Sequence, residues 1–253
     1  MGHLDSHCHL DSSAFEPDRL EVASRAIEQG LSDLIVPGVT VAGFERKPLA
    51  VPGLRLHYAA GLHPAFDHPP DGLDRLEAAL KTGRFVAVGE TGLDKRFMRP
   101  ESEALCAAQL DLACAFELPV ILHVVHTHEA VLSLLKERPG LRGVVHAFAG
   151  SREVAGRYLG LGFKLGLGGI GTWESAQKLR KAIAGCPSDG YVLETDAPDL
   201  SPETWRGRRN EPCALLDVAE AVARLRGETT EEVLTCSDAN GRELFGISQK
   251  EES

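Results

Sequence analysis

Phe85-Val86-Ala87-Val88-Gly89-Glu90 is a short apolar run closed by an acid. The same construction recurs on both sides of it. Downstream, Pro119-Val120-Ile121-Leu122-His123 and Gly143-Val144-Val145-His146 each end on a lone imidazole, and Tyr191-Val192-Leu193-Glu194-Thr195-Asp196 ends on a carboxylate. Upstream, the chain opens on Asp5-Ser6-His7-Cys8-His9. One such histidine is more often a hydrogen-bonded core residue than a ligand. Five strand ends of this kind in one chain reverse that preference. The ends of parallel strands lie far apart in an open sheet but converge on one face of a closed barrel. Convergence is the economical explanation, so the sequence predicts a (β/α)8 TIM barrel of the α/β class.

The rest of the chain fits that frame. Candidate strands at 3–7, 33–37, 55–61, 85–90, 120–124, 143–147, 163–168 and 191–196 alternate with helical patterns. The clearest helical patterns are 19–29, 101–116, 129–136, 153–161, 213–226 and 230–244. With no repeat, low-complexity tract or linker in view, residues 1–247 read as one domain and 248–253 as a frayed tail.

Composition narrows the class of function. The 253 residues are 43% hydrophobic and 25% charged, as in an ordinary globular protein whose core needs no disulfide staples. Six scattered cysteines without a CxxC pair, and no export signal, predict reduced thiols in a cytoplasmic protein. No apolar run is long enough to span a membrane. A net charge of −10 argues against a protein that coats nucleic acid through a broad basic surface. It leaves room for an enzyme that grips a few phosphates locally, with metal ions adding positive charge at the site.

Side chains two apart on a strand point the same way, so His7 and His9 can reach one ion. Glu90 has two carboxylate oxygens and can bridge two ions; its bland alternative is an anion at the next helix start. Asp196 belongs at the mouth. Glu194 sits deeper, where a charge needs hydrogen-bonding partners. Mixed imidazole and carboxylate donors suit two divalent ions such as zinc, manganese, iron, nickel or cobalt better than calcium, with magnesium also a candidate. His126 and His128 lie beyond the fifth strand, as loop or helix-start residues. Arg206, Arg208 and Arg209 cluster in the loop after the eighth strand, where guanidinium forks could hold phosphate. Gly166-Leu167-Gly168-Gly169-Ile170-Gly171 matches a nucleotide-binding pattern, but it leaves the histidines unexplained and reads better as a loop over the mouth.

On these motifs the sequence resembles the TatD family of metal-dependent deoxyribonucleases, within the amidohydrolase superfamily. The motifs are Asp5-Ser-His-Cys-His9, Gly61-Leu-His-Pro64, Gly89-Glu-Thr-Gly-Leu-Asp94, Pro119-Val-Ile-Leu-His123, Val145-His-Ala-Phe-Ala-Gly150, Glu194-Thr-Asp-Ala-Pro198, Arg209-Asn-Glu-Pro212 and Asn240. The resemblance spans about residues 4 to 246. It implies two ions and phosphodiester hydrolysis on DNA, with single-stranded or frayed ends as substrate. It would give His7, His9 and Asp196 to one ion, His123 and His146 to the other, and Glu90 to both. Asp196 would handle the proton of the attacking water, and His63 would lie near the substrate phosphate. Val124-Val125 stands where many relatives have Ser-Arg, Lys95 where an aromatic is usual, and Ala149 within a Phe-Ser-Gly pattern. These departures spare the ligands and bear on the substrate. Two alternatives remain: hydrolysis of another ester or amide such as D-aminoacyl-tRNA, and a non-catalytic metal-binding barrel.

Overall fold

The computed structural model describes residues 2–248. Of the tail anticipated at 248–253, residues 249–253 lie outside the described residues. Eight parallel strands follow one another round a single sheet in chain order. They are β1 (His3–Asp5), β2 (Leu31–Val36), β3 (Arg55–Ala60), β4 (Ala87–Asp94), β5 (Val120–Val125), β6 (Gly143–Val145), β7 (Phe163–Leu167) and β8 (Tyr191–Leu193). The sheet returns on itself: Ser6 N–H donates to Leu193 O at 3.0 Å, and Asp196 N–H to His7 O at 2.9 Å. The fold is a single-domain TIM barrel.

Strand alternation divides the core in two. Leu4, Ile35, Ala59, Ala87, Ile121, Val144 and Val192, one from each of seven strands, face inward and fill the barrel. The larger set on the opposite strand faces packs under the outer helices, where Leu34, Leu122 and Leu165 share one cluster with Leu110, Leu132 and Tyr158. Those helices are α1 (Arg19–Glu28), α2 (Val41–Glu45), α3 (Gly72–Leu80), α4 (Ser102–Ala115), α5 (His128–Lys136), α6 (Arg152–Gly160), α7 (Gln177–Ala184), α8 (Leu215–Arg226) and α9 (Thr230–Phe245). Helices α2, α3 and α7 fill gaps that the periodicity does not single out. α9 starts on a capping box between Thr229 and Glu232 and closes the floor of the barrel with Leu244, Phe245 and Ile247.

At that floor Asp33 is fully buried. It accepts from Arg55 at 2.7 and 2.6 Å, from Arg242 of α9 at 2.9 Å and from Ser32 at 2.7 Å, and lies 2.8 Å from His57 Nε2. Burial alone would raise its pKa. His57, Arg55, Ser32 and Arg242 outweigh that and hold the carboxyl well below the usual range.

β4 runs four residues past Glu90, where the sequence reading ended it. A register shift between Val88 and Thr91 is followed by renewed pairing of Gly92 with His123 and Asp94 with Val125. Gly92 is required here: its φ is +142°, and a Cβ would collide with the carbonyl oxygen of His123. No helix among the described residues is long and apolar enough to cross a membrane. All six cysteines are free.

Candidate metal centre

His7, His9, His63, Glu90, His123, His146 and Asp196 meet at the mouth formed by the C-terminal strand ends. β1 itself stops at Asp5, so His7 and His9 stand beyond the strand rather than on it. They still share a side because neighbouring segments keep this stretch extended. Cys8 N–H donates to Ile35 O at 3.0 Å, and His9 N–H to Ala197 O at 2.8 Å. Cys8 turns outward into the core, and the two imidazoles face the mouth with their Nε2 atoms 3.3 Å apart. Asp5 braces the segment from below: it accepts from His7 N–H at 3.1 Å, and from the Thr195 N–H and hydroxyl at 3.0 and 2.6 Å.

Glu90 stands between two groups of donors. Its Oε2 lies 3.3 Å from His7 Nε2 and 3.7 Å from His9 Nε2. Its Oε1 lies 2.9 Å from His123 Nδ1, 3.3 Å from His63 Nε2 and 3.5 Å from His146 Nε2. His63 thus comes into the donor cluster itself, closer than the phosphate-contact role implied for it. His123 lies inside β5 rather than at its end, because the longer β4 pairs alongside it.

Asp196 lies past the end of β8 with φ +57°, a left-handed position that a short polar residue tolerates. Its Oδ1 is 3.5 Å from His7 Nε2 and 3.6 Å from His9 Nε2. Glu194, fully buried beneath it, accepts from the Ala147 N–H at 2.6 Å and lies 3.1 Å from His146 Nδ1. That leaves His146 Nε2 facing the centre. Gly166 makes room for Glu194, since a Cβ there would overlap the carboxylate. The glycine-rich stretch therefore packs against the site, with a short 3-10 turn at Gly169–Thr172.

The electrostatics fit a cation. Burial, then the charge of nearby His146, pushes His7 down to about 4, so it presents a neutral imidazole. His9 is lowered for the same first reason. Burial also opposes charge on His146, yet Asp196, Glu194 and Glu90 hold it up to about 10. Burial raises the Asp196 carboxyl well above its ordinary range. Glu90 goes the other way, because His146, His63 and His7 outweigh its burial. Three acids, Glu90, Glu194 and Asp196, are buried here, and the positive charge that offsets them sits on His146; a bound cation would take over that role and leave the imidazole neutral. Three overlapping donor sets each lie within 4.8 Å: His7, His146 and Asp196; His7, His9 and Glu90; His63, Glu90 and His123. Imidazole and carboxylate in such sets are the donors that transition-metal ions and zinc take.

A cavity of about 600 Å³ opens over these residues, ample for a small ligand or chain end. Its wall includes Ser12, Thr40, Phe66 and one guanidinium, Arg46. The arginines after β8 are not among its lining residues. Arg206 lies over the Trp173 ring and Arg208 over Trp205, both exposed. Arg209, named with them as a phosphate contact, pairs with Asp18 at 2.6 Å and Glu211 at 3.1 Å, and donates to Ala14 O at 2.7 Å. His126 is exposed, and His128 opens α5 with Nδ1 3.2 Å from the Tyr158 hydroxyl. Asp94 enters the sequence reading only as the end of a family motif, with no role of its own, and Arg46 does not enter it at all. A strand cut at Glu90 hides the first, and nothing in its surroundings marks the second.

The family model described as TatD related DNase matches residues 4–246. YjjV of Escherichia coli K12, an uncharacterized metal-dependent hydrolase, is 37% identical over 96% of this chain and 98% of its own length. The 3′-5′ ssDNA/RNA exonuclease TatD of Erwinia amylovora is 35% identical over 96% of this chain and all of its own. The crystal structure of E. coli YjjV matches with a TM-score of 0.86 at 34% identity, covering 97% of this chain and 98% of that one. With its barrel, its clustered donors and these relatives in agreement, the chain belongs to the TatD family and is a metal-dependent hydrolase.

Proposed function

We propose that this chain is a cytoplasmic two-metal phosphodiesterase that trims DNA from single-stranded or frayed ends. The observation that carries this reading is the position of Glu90, each of whose oxygens faces a different group of imidazoles. Support also comes from the exonuclease named among its relatives. His7, His9 and Asp196 would hold one ion, His123 and His146 the other with His63 beside them, and Glu90 would bridge.

Bound divalent ions lower the pKa of a water and offset charge on the leaving oxygen. Asp196, at the mouth, accepts the water's proton. Glu194 holds His146 through Nδ1 and so aims Nε2 inward. Arg206 and Arg208, exposed on the loop after β8, serve a flanking phosphate of longer substrates.

Protein reconstituted with zinc, manganese, magnesium, nickel or cobalt should shorten labelled single-stranded DNA faster than the duplex, and only with metal. RNA, a minimal phosphodiester and D-aminoacyl-tRNA complete the panel. Deacylation of the tRNA without nuclease activity would move the reading to an acyl ester substrate. No turnover of any of these with any metal would leave a binding protein.

A further inference from the structure

We propose that Asp94 is a positioning residue for the metal centre: it fixes the ring and tautomer of His123 so that Nδ1 faces Glu90, and Arg96 holds Asp94 to that task. Asp94 belongs to none of the donor sets, yet it is fully buried beside them. A buried carboxylate must be satisfied by specific partners. Here they are two. Its Oδ2 lies 2.9 Å from His123 Nε2. Arg96 closes a fork on it, with its Nε 2.9 Å from Oδ1 and its Nη2 2.5 Å from Oδ2, and adds its own backbone N–H to Oδ1 at 2.9 Å. The guanidinium itself reaches solvent, with 62% of its side chain exposed.

The register of β4 against β5 creates this arrangement. Gly92 pairs with His123 and Asp94 with Val125, which brings the carboxylate alongside the imidazole. The ring is then bracketed, with Glu90 Oε1 2.9 Å from one nitrogen and Asp94 2.9 Å from the other. The His63 ring meets it edge-on at 4.3 Å between centroids.

A neutral imidazole has one N–H and one lone pair. With Asp94 accepting at Nε2, the N–H sits there and the lone pair sits on Nδ1, toward Glu90. Either tautomer sets one lone pair against a carboxylate, but only on the Glu90 side would a bound ion take that lone pair up, so the N–H belongs on the Asp94 side. A carboxylate behind a ligating histidine both orients the ring and makes it more basic. The Arg96 fork fixes the carboxylate plane, and a bidentate guanidinium does this better than a single ammonium could.

The inference rests on reading the centre as a two-ion site. Zinc binding to the parent, Asp94→Asn and Arg96→Met can be titrated against a chromophoric chelator, while ¹⁵N-histidine NMR of the zinc-loaded parent reads the tautomer of His123. In Asp94→Asn one of two ions should bind about 10–100-fold more weakly, with the other unchanged. The amide can offer its own N–H to Nε2 and so favour the wrong tautomer. Arg96→Met, at an exposed site, should weaken the same ion by a smaller factor. The parent spectrum should show an N–H at Nε2 of His123.

An N–H at Nδ1, or equal affinity for both ions in both variants, overturns the assignment. A parent that binds a single zinc sinks the two-ion reading. The NMR result and the variants' effect on that one ion still decide the role of Asp94. Should Asp94→Asn not fold, the parent spectrum and Arg96→Met carry the test.

Discussion

Asp196 combines a left-handed backbone, a carboxyl whose pKa burial raises, and a place between His7 and His9. Asn can keep that shape and much of the coordination but cannot take a proton. Asp196→Asn should therefore fold and retain most of its metal while hydrolysis falls by about 10²–10⁴. Turnover near the parent's, measured on metal-loaded protein, would remove Asp196 from proton transfer. Much of this centre is legible one residue at a time. A single polar residue closing an aliphatic run has a structural explanation, but Glu90, His123, His146 and Asp196 repeat the pattern strand after strand, and His7 and His9 stand out as a pair on one side. His63 is different: it lies two residues beyond the strand read at 55–61 rather than at its end, and only the family resemblance points to it. Glu194 reads correctly as a buried hydrogen-bonding acid, although its partners, the Ala147 N–H and His146 ring, lie about fifty residues away in the chain.

At the scale of elements, β4 shows why a strand end can be misread. The apolar run ends at Glu90, and nothing in the sequence shows that Gly92 lets the strand press on toward β5 after its register shift. The floor clasp around Asp33 is equally silent in sequence, because Arg55 and Arg242 reach it from β3 and α9. Removing one partner of a buried ion pair leaves the others uncompensated, so Asp33→Asn should cost about 3–5 kcal/mol in urea unfolding. The folded-state pKa of Asp33 lies below its unfolded value of 3.8. Its stabilisation is thus fully present above about pH 4 and is lost as pH falls toward the folded value. The variant should lack that acid limb, and an unchanged pH profile would show that the clasp is not what titrates. The loop after β8 has a separate test. Charge reversal at Arg206 and Arg208 should raise KM for long DNA and flatten its salt dependence, while a minimal phosphodiester is turned over as before. Equal losses on both substrates would take the loop out of binding. Arg209 is excluded from that test because its bonds to Asp18 and Glu211 tie the loop to α1's entry.

For the whole molecule, one consideration carried the fold: ligand-type residues spread from position 7 to position 196 can meet only where all strand ends meet. The closed sheet brings them together, and the same closure explains how a chain with a net charge of −10 can host a site for an anionic substrate. Asp11, Glu16 and Asp199 line the cavity beside Glu90 and Asp196, against the lone guanidinium of Arg46. Bound cations would reverse that local balance. What composition and periodicity could not supply was the pairing of each donor with its neighbours, which depends on loop paths and on register between strands. The account therefore turns on Glu90 as a bridge. Anomalous scattering from crystals loaded with manganese or zinc would test it directly. Two peaks about 3.5–4 Å apart, one on each side of the Glu90 carboxylate, are expected. A single peak at full occupancy under saturating metal, or two peaks with Glu90 turned away from both, would contradict it.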